Sequence, residues 1–141
     1  MFAGASRDEL RKVYLLAWRK FRAGEPLEPL ERQLAVLISD HPEYIPWLEG
    51  GERALAAEFA PESGLLNPFL HLGLHMALRE QVATDRPAGI RGIHQSLSAR
   101  LSDAHQAEHR MLEVLGETLW AAQRNNAAPD EAAYLERLRR L

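Results

Sequence analysis

Apolar residues recur along this chain at spacings of three and four, the period of helices with one buried face. Ser6 and Glu9 have capping-box spacing, and Leu10, Val13, Tyr14, Ala17 and Phe21 then share a face before Gly24 stops the helix. A second helix opens at Pro29, carries Leu30, Leu34, Leu37 and Ile38, and ends near Asp40-His41-Pro42. A short piece from Tyr44 to Leu48 closes at Gly50-Gly51, another covers Glu52 to Phe59, and Ala60 to Leu66 reads as loop.

Asn67-Pro68 is an N-cap followed by a first-turn proline, and predicts a helix to about Ala83, broken by Thr84 to Pro87. Pro87 begins the next, through Ile90, Ile93, Leu97 and Leu101. Ser102-Asp103 either caps a new helix or marks a kink in a continuous one; Asn125 and Asn126 end it. Pro129 and Asp130 start a terminal helix with Tyr134, Leu135, Leu138 and Leu141. No stretch alternates with period two, and β-branched residues are sparse. The expected fold is all-α, a single helical-bundle-like domain over residues 1–141 with about six to eight helices.

One position interrupts this pattern. On the longest helix, Leu101, Ala104, Glu108, Met111, Leu112, Leu115, Leu119 and Ala122 mark an inward stripe, with Glu108 at its middle. An unpaired carboxylate in a core costs several kcal/mol or more, so the stripe requires a partner for Glu108. His105 and His109 flank it. His71 and His75 make a second i,i+4 pair, sharing a helix face with Leu74, Leu78 and Val82, whereas Glu80 lies on the opposite side.

Composition narrows the chemistry. The chain has no cysteine, which excludes disulfides, thiolate ligands and cysteine nucleophiles, so any metal must be held by nitrogen and oxygen. The net charge of -3 gives no overall field for nucleic acid. The opening residues lack the basic and apolar regions of a signal peptide, and the longest uncharged run falls short of the roughly 18 residues of a membrane span. A cytoplasmic protein is therefore expected, one for which a homo-oligomer is allowed.

His71, His75, His105, Glu108 and His109 are the candidate metal ligands, suited to iron, manganese or zinc. Arg79, Glu113 or Asn67 are candidates to orient them. The competing reading is a hydrogen-bond network in which, for example, His105 pairs with Glu108. His105-x-x-Glu108-His109 spells the string of inverted zinc peptidases, but the chain is too small and strandless for such a cleft. The ferritin-like pattern fails, since neither His75 nor His109 has a glutamate three residues before it. Trp18, Trp47 and Trp120 are expected as core anchors. The first helix interleaves Arg7, Arg11, Lys12, Arg19, Lys20 and Arg22 with aromatics, either a solvated outer face or a surface for phosphate or anionic lipid.

Asn67-Pro68-Phe69-Leu70-His71-x-x-x-His75, Asp85-Arg86-Pro87-x-Gly89-Ile90 and His105-x-x-Glu108-His109-Arg110-Met111 carry a resemblance over nearly the whole chain. In these motifs the sequence resembles a bacterial family of short proteins, the domain of unknown function DUF1841. The resemblance implies no activity and no catalytic residue. The residues themselves lead to a helical-bundle protein with a histidine and glutamate metal site. The rival is a non-enzymatic adaptor or structural protein in which the same side chains form an internal network.

Overall fold

Helix caps expected from the sequence reappear as hydrogen bonds. The computed structural model describes residues 6–57, 59 and 67–141. The loop expected over 60–66 and the chain start at 1–5 lie outside the described residues. Among the described residues every regular element is a helix and there is no strand, so the fold is all-α. The chain divides into two compact units, Met1–Leu72 and Gly73–Leu141.

In the first unit, helix α1 (Arg7–Ala23) starts at Ser6, whose hydroxyl accepts from the Glu9 amide at 3.2 Å, and stops at Gly24 in the left-handed region (φ 72°). Helix α2 (Pro29–Ser39) packs against α1. It opens on a capping box from Glu28 and Glu31, where Pro29 had been the only start signal. A 3-10 turn (Pro42–Tyr44), α3 (Ile45–Leu48) and α4 (Glu52–Ala56) come next. The last is shorter than the expected Glu52 to Phe59.

Buried Tyr14, Ala17 and Trp18 of α1 and Leu34, Leu37 and Ile38 of α2 supply much of this unit's apolar interior. Phe21, expected on the same face, is 43% exposed. Arg11, expected on an outer charged face, is instead buried. Its Nη1 donates to the carbonyls of Ala54, Leu55 and Ala57 at 3.0, 3.1 and 2.7 Å, which closes the end of α4. The guanidinium also lies over the Phe69 ring, 4.7 Å from its centroid.

Helix α5 (Pro68–Thr84) begins as predicted, with the Asn67 side chain accepting from the Phe69 and Leu70 amides. From Gly73 onward it belongs to the second unit. There α6 (Ile90–Leu101) starts later than Pro87. Gly89 sits at φ 104°, and the Asp85 carboxylate accepts from the Gly89 and Arg91 amides. The choice at Ser102-Asp103 falls to a break. Ser102 is left-handed (φ 54°), and the Asp103 side chain caps α7 (Ala104–Arg124) through the Gln106 amide at 3.1 Å. Helix α8 (Glu131–Arg139) is capped by Asp130 and packs against α6 and α7.

The interior of this unit joins Leu78, Ile90, Leu97, Met111, Leu115 and Leu138. Tyr134, also buried, donates its hydroxyl to Gln81 Oε1 at 2.7 Å, and burial raises its pKa. Trp18 is buried, but Trp120 is 59% exposed and lies against Arg124, which corrects the expectation that it anchors the core. No helix among the described residues is long and apolar enough to cross a membrane.

Candidate metal centre

The buried line of α7 runs through Ala107, Met111, Leu112, Val114 and Leu115. Ala104 and Leu119, expected in that line, are exposed. The stripe is thus rotated from the expected one, and Glu108 lies on its margin, its side chain 12% exposed. The partner requirement nevertheless holds, because the carboxylate is largely removed from water.

Three cationic or N–H side chains in the second unit meet it. His75 Nε2, on α5, donates to Oε1 at 2.6 Å, and Arg79 Nε, one turn further on, donates to the same oxygen at 3.1 Å. His94 Nε2, on α6, donates to Oε2 at 3.0 Å. Burial alone would push the Glu108 carboxyl up; the bonds from His75 and His94 and the Arg79 charge outweigh it and hold its pKa down to about 2. At neutral pH the carboxylate is therefore acceptor-only. The Nε2 atoms of His75 and His94 must both carry protons, and in the neutral rings the lone pair sits on Nδ1.

The remaining histidines of the second unit pack against this arrangement in tilted and edge-to-face contacts. The His75 ring centroid is 5.7 Å from that of His105 and 5.5 Å from that of His109, and His105 and His109 are 4.2 Å apart. Their i,i+4 spacing on α7 places the two rings edge to face. Four of the five expected ligands, His75, His105, Glu108 and His109, are thus brought together within one unit. Of the candidate orienting residues, Arg79 reaches Glu108. Glu113 is exposed, and Asn67 serves as the cap of α5.

His71 lies in the first unit, where its Nε2 is 3.2 Å from Nε2 of His41. His41 is fully buried, its Nδ1 donating to the Leu37 carbonyl at 2.8 Å, and its ring stacks on Tyr44 at 5.4 Å. That carbonyl bond leaves the neutral His41 lone pair on Nε2, facing His71. Burial raises the pKa of Tyr44, and the nearby Glu43 charge raises it further.

His41 and His94 are absent from the ligand set expected from the sequence, though both carry a signal there. His41 continues the α2 stripe, four residues after Leu37 and three after Ile38. His94 stands four after Ile90 and three before Leu97, both fully buried. Within the first unit the ligand nitrogens of His41 and His71, and within the second those of His75 and His109, lie within 4.8 Å of one another, a donor spacing that suits a metal ion. Two nitrogens on a tetrahedral zinc with bonds of about 2.05 Å sit roughly 3.3 Å apart, close to the His41 to His71 separation.

Fold and site together define an all-helical protein with clusters of buried and half-buried imidazoles and no thiol ligand. Residues 6–140 match the domain of unknown function DUF1841, and the chain belongs to that family. No curated protein and no solved structure matches it.

Proposed function

We propose that this protein binds a divalent metal ion through histidines of its second unit, with His75, His105 and His109 as ligands. Glu108 serves as the carboxylate that orients His75. One observation carries the reading: the His75 Nε2 bond to Glu108 at 2.6 Å. Metal-binding imidazoles regularly donate their second ring N–H to a carboxylate, which fixes the tautomer and raises ligand basicity. Here that bond directs the His75 lone pair to Nδ1. Glu108 already accepts from three side chains, so the ligand set is nitrogen-rich and suits zinc or iron better than manganese. In the first unit, His41 and His71 have a matching donor spacing, with the His41 tautomer held by a backbone carbonyl.

A second reading, an internal hydrogen-bond network without metal, is favoured by the same carboxylate. Its charge is met by His75, His94 and Arg79. Elemental analysis of untagged protein separates the two. Metal in stoichiometric amount that is lost in His75→Ala and in His109→Ala, each still folded by circular dichroism, supports the metal site. Metal content that ignores both substitutions leaves the network. Parallel assays of His41→Ala and His71→Ala measure what the first unit's pair contributes.

A further inference from the structure

Helix α1 presents a second pattern that the histidine chemistry does not use. Lys12, Leu15, Leu16, Arg19, Arg22 and Ala23 fall at spacings of three and four, a stripe distinct from the buried one through Tyr14, Ala17 and Trp18. In the first unit this stripe forms one wall of an open cavity of about 800 Å³. Leu48, Glu49 and Gly51, from the end of α3 and the turn into α4, also line it. The volume is within the range of about 300–1,000 Å³ that holds small ligands.

The charges around it are uneven. Lys12, Arg19 and Arg22 line the cavity and are exposed, whereas Lys20 is taken up by Glu31 at 3.0 Å. Arg22 leans over the Trp18 ring. Among the described residues the one lining carboxylate is Glu49, which is exposed but accepts from Trp18 Nε1 at 3.1 Å. Leu15, Leu16, Trp18 and Leu48 line the same cavity, Trp18 and Leu48 buried and Leu16 38% exposed. Exposed cations set beside apolar lining residues complement a molecule with an anionic head and a hydrocarbon body. On a chain of net charge -3 such a cationic cluster is a local feature.

We propose that this cavity binds a single-chain amphipathic carboxylate, with Lys12 and Arg19 on the head group and Leu15, Leu16 and Leu48 on the chain. Calorimetric titration with monomeric dodecanoate, below its micellar concentration, tests this. Saturable one-to-one binding is expected, about tenfold weaker in the double variant Lys12→Gln/Arg19→Gln, the loss typical of hydrogen bonds to a charged group. Dodecyltrimethylammonium, with the same chain and the opposite charge, should bind at least about tenfold more weakly. Leu16→Ser should weaken dodecanoate, and Arg110→Gln, on exposed α7 surface, should leave it unchanged.

Equal affinity for the two amphiphiles overturns the proposal. So does a double variant that binds like the wild type, or an equal loss in Arg110→Gln. Flotation with phosphatidylglycerol vesicles in the absence of monomer binding would assign the surface to a membrane instead, and would equally overturn it. All substituted side chains are solvent-facing, so folding is not at stake.

Discussion

His75 and Glu108 meet at 2.6 Å, a fully buried imidazole donating to a carboxylate that is itself 12% exposed. A bond this short between a protonated nitrogen and an ionised acceptor is among the stronger kinds of hydrogen bond in proteins. It joins α5 to α7 inside the second unit, and Arg79 and His94 complete the acceptor's shell. Glu108→Gln keeps the shape but removes the charge and half of the accepting capacity. It should destabilise the protein by about 2 kcal/mol, seen as a lower urea midpoint at unchanged slope. Under the proposed metal site, zinc affinity should fall by roughly 10- to 100-fold in competition with a chromophoric chelator. A variant with wild-type midpoint and wild-type affinity would show that the bond organises nothing.

The same carboxylate sets an acid limit on stability. Its folded pKa is lowered to about 2 from an ordinary 4.5. A depressed folded pKa means that the stabilisation is fully present above the unfolded value and is lost as pH falls below about 4.5 toward 2. The shift corresponds to a loss on the order of 3 kcal/mol. Urea midpoints measured across this window should drop steeply in chelator-treated wild type and less so in Glu108→Gln. Parallel pH profiles for the two proteins would remove Glu108 from the account.

Arg11 predicts a different kind of failure. Its guanidinium serves three carbonyls at the end of α4 while buried against Phe69. Arg11→Met, similar in length and apolar, leaves those carbonyls without their donor and should cost roughly 3 kcal/mol. Arg11→Lys should recover only part of this, because a compact ammonium cannot reproduce the planar fork. Thermal melts of the three proteins order them as wild type, Lys, Met. A lysine variant as stable as wild type would reduce Arg11 to a generic charge.

The tryptophans should separate by environment. Trp18→Ala removes a buried ring at 4% exposure and should cost about 3–5 kcal/mol. Trp120→Ala, at 59% exposure, should stay within about 0.5 kcal/mol. Iodide quenching gives an independent reading, since the component lost in Trp120→Ala should be the strongly quenched one. Comparable stability losses in both would contradict the exposed placement of Trp120.

Helix type, order and most ends were legible in the sequence because they depend on neighbours within a few residues. Ser6, Asn67 and Asp103 each cap the helix that starts one residue later, Gly24 permits a left-handed stop, and the three-and-four spacing of leucines identifies helices wherever they pack. The need to compensate Glu108 was legible too, since an acidic side chain beside buried leucines has to be met by something. What met it depended on the tertiary fold. His94 on α6 and Arg79 on α5 reach Glu108 from separate helices, and their convergence comes from packing over 14 and 29 residues of chain. The same holds for Arg11, whose burial depends on carbonyls 43 to 46 residues away, and for Trp120, left outside by the direction α7 turns its face. Local periodicity says which face of a helix is apolar. Only the neighbours brought by folding decide where that face ends and which polar groups at its margin find each other.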